Sequence, residues 1–287
     1  MKAGTVALIG RPNVGKSTLV NNLVGTKVAI TSPRPQTTRF PIEALYQDNR
    51  GQIIFVDTPG IFRKAKGTIV KRINKNTLDY FGKDIDVLMY VIDPTRERDY
   101  EEARVLGIVR NAKLPTILVI NKIDQKQPYR PVYKFMEDEF DTLVEVSALD
   151  RKHLPKLVDA IFEKLPERKG PLIKSDEYVY PAINMDSKTF LAEIIREKVF
   201  LRTRRELPYT TTVVVDKIVE RDNDVTYIKA RVITTDDTYK KMLIGTGGRK
   251  IKEIGTMARK ELAVATNKKI YLDLQVETDK HWMTSLA

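Results

Sequence analysis

Eight consecutive residues near the amino terminus have the types and spacing of a loop that binds phosphate groups. They run from Gly10 to Ser17 and match the pattern G-x-x-x-x-G-K-S. An apolar run precedes them and a helical pattern follows, which is the context that such a loop requires. Its glycines let successive backbone N–H groups converge on phosphate oxygens, and the dipole of the following helix adds positive potential. We therefore expect nucleotide phosphates to bind here.

Two side chains of this loop have specific expected roles. Lys16 should reach the β- and γ-phosphates, and the Ser17 hydroxyl should bind Mg²⁺. The alternative, an accidental glycine-rich turn, is disfavoured by the flanking strand and helix. The residues predicted to contact the nucleotide here are Gly10, Arg11, Pro12, Asn13, Val14, Gly15, Lys16, Ser17 and Thr18.

A second motif, Asp57-Thr58-Pro59-Gly60, follows a short apolar run and matches D-x-x-G. We expect Asp57 to hold Mg²⁺, usually through water. The N–H group of Gly60 should sense the γ-phosphate, so that this loop orders with a triphosphate and relaxes after hydrolysis. All four residues are predicted to lie at the nucleotide site.

The segment from Ser32 to Arg39 lies between these two motifs and has no apolar periodicity. We interpret it as a loop that carries a threonine ligand for Mg²⁺. Thr38 is the preferred candidate and Thr37 is the alternative. A solvated loop without a role in metal binding is the competing interpretation.

A third motif, Asn121-Lys122-Ile123-Asp124, comes directly after a β-rich run and matches N-K-x-D. A carboxylate at Asp124 can accept hydrogen bonds from the ring N1–H and the exocyclic amino group of guanine. Adenine offers neither donor at these positions, and a buried mismatched polar pair costs about 1–3 kcal/mol. The motif therefore predicts selection of guanine nucleotides, with Asn121 bracing neighbouring loops and Lys122 covering the base.

Two further residues complete the predicted base site. Ser147 and Ala148 follow the next apolar run, and a backbone N–H of this loop should reach the guanine carbonyl. By itself this dipeptide is unspecific, and only its order after the other motifs supports the assignment.

The carboxyl-terminal part of the chain contains a different glycine loop, Gly245-Thr246-Gly247-Gly248, between two helical patterns. A tight turn of this G-x-x-G type lets a nucleic-acid backbone approach closely. A plain helix–turn–helix hairpin is the alternative, because glycine turns between helices are common. The residues predicted to contact RNA are Ile244, Gly245, Thr246, Gly247, Gly248, Arg249, Lys250, Ile251 and Lys252.

The elements that must position these motifs alternate along the chain. Short β-rich runs and amphipathic helical segments follow one another up to about residue 165, which indicates a mostly parallel sheet with helices on both faces. A helix, two strands, two helices and a last strand follow, as in a small α+β domain. We predict a nucleotide domain at 1–166, a linker at 167–186 and an RNA-binding domain at 187–287.

Composition limits the possible functions further. The 287 residues carry a net charge of +12, which favours polyanionic partners. There are no cysteines and only two histidines, which excludes disulfides, Cys-ligated zinc and a Cys nucleophile. No apolar run approaches the ~18 residues that span a bilayer, and no targeting segment is recognisable. We therefore expect a soluble cytoplasmic protein.

Taken together, the motifs of both parts of the chain resemble the bacterial Era GTPase family over nearly the whole sequence. Further similar stretches are Gln36–Arg39, Ala192–Lys198, Glu206–Tyr209 and Ile251–Gly255. The resemblance implies a P-loop GTPase domain followed by a type II KH domain that binds the 3′ end of small-subunit ribosomal RNA and acts in small-subunit assembly. It also implies peripheral membrane association, and K⁺ as an additional cofactor that Asn13 ligates. We expect the protein to be a monomer.

The expected reaction is hydrolysis of GTP to GDP and phosphate by attack of water on the γ-phosphate. The residues expected to act in it are Asn13, Lys16, Thr38 and Gly60. Ile61 follows Gly60 and cannot orient water as a glutamine does, so intrinsic turnover should be slow. Two alternatives stay open: a P-loop phosphotransferase that acts on a small acidic substrate, and a GTPase scaffold whose small domain binds protein or DNA.

Overall fold

The computed structural model describes residues 1–31, 38–39, 41–59, 85–174, 184–221 and 225–285. The chain divides into two compact units, Met1–Asn184 and Met185–Ala287. The described strands form one sheet in each unit, with six strands in the first and three in the second.

Parallel pairing dominates the sheet of the first unit. Its order is β2-β3-β1-β4-β5-β6. Strands β2 and β3 are antiparallel, and the other neighbouring pairs are parallel. The strands are β1 (Lys2–Ile9), β2 (Ile42–Asp48), β3 (Gly51–Asp57), β4 (Val87–Ile92), β5 (Thr116–Ile120) and β6 (Leu143–Glu145).

The centre of this sheet is covered on both faces. Every residue of β4 is buried, which is typical of a continuous apolar run in a parallel sheet between helices. Side chains of Val105 and Met136 join the same apolar cluster as Tyr90 and Ile92 of this strand. The helices of the unit are α1 (Lys16–Val24), α2 (Tyr100–Ala112), α3 (Arg130–Glu139) and α4 (Leu154–Lys164).

Two elements of the first unit differ in how clearly the sequence signals them. Strand β2 begins directly after Pro41 and is the edge strand of the sheet, as the proline predicts, because a sheet tolerates proline at an edge. Helix α3 has Pro131 in its first turn, and Tyr133 and Met136 are its buried residues. So sparsely apolar a segment gives weak periodicity, and the sequence does not predict this helix.

The segment after α4 is fastened to the first sheet. The backbone N–H of Ala3 donates to the Pro166 carbonyl at 3.2 Å. The buried side chain of Gln52 accepts from the N–H of Leu172 at 2.8 Å and donates to the carbonyl of Ile173 at 2.9 Å. The beginning of the predicted linker is thus bonded to the strands β1 and β3.

The second unit packs three helices against one face of its sheet. Strands β7 and β8 are antiparallel, and β8 and β9 are parallel. Alternate residues of the central strand, such as Ile228 and Ala230, enter the apolar core that the helices cover. The elements are α5 (Ser187–Arg202), β7 (Thr211–Arg221), β8 (Val225–Thr234), α6 (Asp237–Ile244), α7 (Arg249–Thr266), β9 (Lys269–Thr278) and α8 (Trp282–Ser285).

Candidate functional site

The predicted nucleotide motifs meet at one edge of the first sheet. Each follows the carboxyl end of a strand: the phosphate loop follows β1, Asp57 ends β3, Asn121 follows β5, and Ser147 comes after β6. These strands are parallel, so their carboxyl ends open into the same crevice, where open α/β sheets bind ligands.

Close backbone approach explains why the phosphate loop needs its glycines. A Cβ atom at Gly10 would lie 2.4 Å from the carbonyl oxygen of Val91. Gly15 has φ of +101°, and a Cβ there would lie 2.3 Å from Nδ2 of Asn121. A side chain at Gly10 would collide with the backbone of β4, and one at Gly15 would displace the amide of Asn121.

Lys16 lies folded into the loop that should hold the phosphates. Its Nζ donates to the carbonyls of Gly10 and Arg11, both at 3.1 Å. Burial lowers the pKa of its ammonium group to about 8, although the nearby carboxylate of Asp57 opposes this effect. At neutral pH the group is therefore mainly charged, as contact with phosphate requires.

The three predicted magnesium ligands lie together. Ser17 Oγ donates to Asp57 Oδ2 at 2.6 Å and lies 3.1 Å from Thr38 Oγ1. Burial raises the pKa of the Asp57 carboxyl to about 6, while Lys16 and the two hydroxyls act in the opposite direction. Its other oxygen, Oδ1, is buried with no hydrogen-bond partner among the described residues. Two hydroxyls and a buried carboxylate fit Mg²⁺, which prefers oxygen ligands and keeps several waters.

Asn121 ties the base loop to the phosphate loop. Its Nδ2 donates to the carbonyl of Val14 at 2.8 Å, and its Oδ1 accepts from the N–H of Ala148 at 2.9 Å. The amide thus braces the loops on both sides of it, which is the role expected from the sequence.

Asp124 is poised to accept hydrogen bonds from a base. Ser147 Oγ donates to its Oδ1 at 2.5 Å. This hydrogen bond lowers the pKa of the Asp124 carboxyl. The side chain therefore stays ionised at neutral pH and can accept from guanine.

Asp93 is a site residue that the sequence interpretation missed. It directly follows β4 and has no exposed surface, and its Oδ2 accepts from Nζ of Lys122 at 2.5 Å. The ion pair fixes the lysine whose stem is expected to cover the base. A signal was available, because Asp93 follows a parallel strand as the other site residues do.

The Arg11 side chain connects the phosphate loop to neighbouring helices. It is buried and forms ion pairs with Glu102 at 2.6 Å and with Asp99 at 3.1 Å. It also donates to Tyr133 Oη at 2.7 Å, and Tyr90 Oη donates to Glu102 Oε1 at 2.6 Å. The side chain thus anchors the phosphate loop to α2 and α3, and only its carbonyl contacts Lys16.

The remaining predicted residues have varied surroundings. Pro12, Val14 and Pro59 are buried, and Asn13 and Thr18 are half-buried. Thr58 is also buried, and its hydroxyl donates to the carbonyl of Leu8 at 2.5 Å. Thr58 therefore braces β1. Gly60 lies outside the described residues.

The glycine loop of the second unit is an open turn between α6 and α7. Gly245, Gly247 and Gly248 have φ of +70°, +59° and +74°. The central pair, Thr246 and Gly247, is exposed, and Cβ atoms at Gly247 and Gly248 would meet nothing within 4 Å. The loop is therefore accessible to a ligand, with Arg249 and Lys252 also exposed beside it.

The fold and these sites define a class: a guanine-nucleotide-binding P-loop GTPase domain joined to a KH domain. A family model described as a 50S ribosome-binding GTPase matches residues 5–122, and a KH-domain model matches residues 206–283. The GTPase Era of Halothermothrix orenii is 39% identical over 284 residues, which is 98% of this chain and 94% of that relative. The chain belongs to the Era GTPase family.

A further relative and a solved structure support the same family assignment. The GTPase Era of Trichlorobacter lovleyi is 38% identical and covers 100% of this chain and 95% of its own length. A variant of Aquifex aeolicus Era bound to GDP·AlF4⁻ is 34% identical with a TM-score of 0.89, over 98% of this chain and 95% of that one. The expected fold class and GTPase activity are thereby confirmed.

The ion pair between Arg11 and Glu102 should be needed to hold the phosphate loop. Arg11→Met leaves a buried carboxylate without its partner, so the free energy of unfolding of the first unit should fall by about 3 kcal/mol. GDP affinity should fall as well, because the nucleotide must then order the loop. Thermal unfolding with and without GDP measures both effects.

Arg110→Met provides the matched control. Arg110 pairs with Glu139 at 2.7 Å between the same two helices, but its side chain is 54% exposed. Removing an exposed pair should cost about 0.5 kcal/mol at most and leave GDP affinity unchanged. Equal effects of the two substitutions would contradict the anchoring role of Arg11.

Proposed function

We propose that this protein binds the 3′ end of small-subunit ribosomal RNA under the control of GTP and acts in assembly of the small ribosomal subunit. The observation that carries the proposal comes from a relative. Era was solved in complex with MgGDPNP and nucleotides 1506–1542 of 16S ribosomal RNA, and that chain is 35% identical with a TM-score of 0.88 over 98% of this chain and 95% of its own. The open glycine loop of the second unit supports the same role.

The residues of the crevice support hydrolysis through positioning and charge neutralisation. Lys16 neutralises phosphate oxygens, and Ser17, Thr38 and Asp57 would hold Mg²⁺. When bound, this ion would supply positive charge that offsets the negative charge of the phosphates. Gly60 would contact the γ-phosphate through its N–H, and Ile61 leaves the attacking water without a side-chain partner at that position. Slow intrinsic turnover follows from this proposal.

Family membership favours hydrolysis over the phosphotransferase alternative. The predicted boundaries at 166 and 186, a monomeric state, the cytoplasmic location and peripheral membrane association stay predictions. No helix in the described part of the chain is long and apolar enough to cross a membrane.

Substitution of Asp124 should change base preference. In Asp124→Asn the amide donates where the carboxylate accepted, which suits the carbonyl of xanthine and leaves the amino group of guanine unpaired. We expect GTP affinity to fall by about tenfold or more, and XTP affinity to rise. Nucleotide titrations of both proteins measure this, and Asp138→Asn, an exposed residue of α3, is the control. Retained GTP preference would refute the base assignment.

We further propose that K⁺ completes the phosphate site with Asn13 as a ligand. The backbone of Asn13 has φ of +64°, so Asn13→Gly removes the side chain without backbone strain. Phosphate release should be faster in K⁺ than in Na⁺ for the parent protein and equal in both for the variant. Stimulation that persists in the variant would exclude this ligand.

RNA binding should depend on the exposed turn between α6 and α7. Thr246→Asp places a negative charge where the RNA backbone is expected, so affinity for the 3′-end RNA should fall roughly tenfold while GTP hydrolysis stays unchanged. Val264→Asp adds the same charge at a residue of α7 that is 84% exposed, and it should leave affinity near that of the parent. Fluorescence anisotropy with labelled RNA measures both, and equal losses would contradict a role for the turn.

A further inference from the structure

The sheet of the second unit has an outer face that its helices leave uncovered. Along β8, Ile228 and Ala230 point into the core, so Tyr227 and Lys229 point to the other side. Residues paired with these two on β7 and β9 share that side, because directly opposed residues of neighbouring strands face the same way.

Two tyrosines and an arginine form a stacked cluster on this outer face. Tyr227 is in register with Tyr271 of β9, and their rings stack at 5.9 Å between centroids and 24° between planes. The Arg221 guanidinium lies 4.4 Å from the centroid of the Tyr227 ring and 5.7 Å from that of Tyr271. Tyr271 is 56% exposed, so its ring remains accessible. We refer to Arg221, Tyr227 and Tyr271 as the tyrosine platform.

Basic residues occupy the rows of the sheet on both sides of the tyrosines. One row contains Arg221 and Lys269, each in register with Val225. The other row contains the paired residues Lys217 and Lys229, and Asp273 opposite Lys229.

Asp273, the acidic residue named in these rows, is hydrogen-bonded to a tyrosine of the platform. Tyr227 Oη donates to Asp273 Oδ2 at 3.0 Å. Among the residues that the structure describes, four cations and one hydrogen-bonded carboxylate thus lie in the rows beside the stacked rings. Farther along the same face, Arg231 pairs with Asp216 and Glu277, so the excess of positive charge among the described strand residues lies at the platform end of the sheet.

The tyrosine platform is separate from the glycine loop. The 18-residue helix α7 starts beside the glycine loop and ends three residues before Lys269. A helix of that length spans about 27 Å. The platform also lies on the sheet face opposite to α7, so one short RNA segment bound at the glycine loop cannot also occupy it.

We propose that the tyrosine platform is a second RNA-binding site, which takes unpaired bases of the RNA that the glycine loop holds. Proteins bind single-stranded nucleic acids by stacking bases on exposed aromatic rings beside cations that track the phosphates. A cross-strand tyrosine pair that served only the sheet would need neither an accessible ring nor cations in both adjacent rows. The inference rests on the RNA-binding function proposed above and extends its contact surface.

Removal of the exposed ring should weaken binding of a long RNA and not of a short one. A labelled unstructured RNA of about 16 nucleotides is long enough to reach both sites, whereas one of about four nucleotides fills only a glycine loop. With the full chain, Tyr271→Ala should lower the affinity for the long RNA roughly tenfold and leave the affinity for the short RNA unchanged. Tyr271→Phe keeps the stacking surface and should restore affinity. Anisotropy titrations measure all three proteins.

One control variant and the binding of the parent protein separate the possible outcomes. Tyr100→Ala removes a tyrosine of the first unit that is 61% exposed and should leave both affinities unchanged. Failure of the parent protein to bind the long RNA would overturn the proposed function itself. If Tyr271→Ala binds the long RNA as tightly as the parent protein does, the tyrosine platform is not an RNA-binding site. That result would leave the proposed function itself intact.

The salt dependence of binding tests the phosphate contacts of the platform. For single strands, each lost phosphate contact reduces the slope of log affinity against log salt by about 0.7. Lys269→Gln should produce that reduction with the long RNA and none with the short one. An unchanged slope with the long RNA would show that Lys269 does not contact phosphate and would contradict the proposed arrangement.

Discussion

The amide of Asn121 is the contact on which the rest of the nucleotide site depends. It binds the carbonyl of Val14 in the phosphate loop and the N–H of Ala148 after β6. Three loops from three strands are therefore held at fixed spacing by one side chain. Gly15 makes this possible, because any Cβ there would occupy the space of that amide. The loops expected to bind the base and the phosphates are thus connected by direct hydrogen bonds.

Buried charge is the second constraint on the site. Lys16 and Asp57 are both buried, and each opposes the effect of burial on the pKa of the other. Glu102 is buried as well, which raises the pKa of its carboxyl, and Arg11 compensates for its negative charge. Because removal of one member of such a pair leaves an uncompensated charge, the phosphate loop also depends on Glu102, a residue of α2 outside the nucleotide motifs.

The residues expected to contact the ligands could be predicted from the sequence better than the residues that hold them in place. Strands β4 and β5 coincide with nearly continuous apolar runs of the sequence, because strands buried on both faces need apolar residues throughout. The motifs identify the residues near the ligand because phosphate and guanine demand particular residue types at particular spacings. Nothing local in the sequence indicates that Arg11 contacts Glu102, since that pairing depends on how α2 packs against the sheet.

Dependence on long-range packing also explains why the tyrosine platform of the second unit could not be predicted. Its G-x-x-G motif is a short pattern and could be recognised directly. The tyrosine platform depends on the register of β8 with β9, which brings together residues 44 positions apart in sequence, Tyr227 and Tyr271. Strand register is determined by packing and turns and not by a local pattern, so the stacking of these rings could be found only in the structure.

The attachment of the segment after α4 has a consequence for the chain path of the first unit. Ala3 bonds to Pro166, and Arg168 donates to the carbonyl of Met1 at 2.9 Å. Residues 1–3 and 166–168 therefore lie side by side where β1 begins. Joining Met1 to Arg168 by a short peptide and opening the chain in an exposed loop elsewhere would keep these pairings, so residues 1–168 are suited to circular permutation.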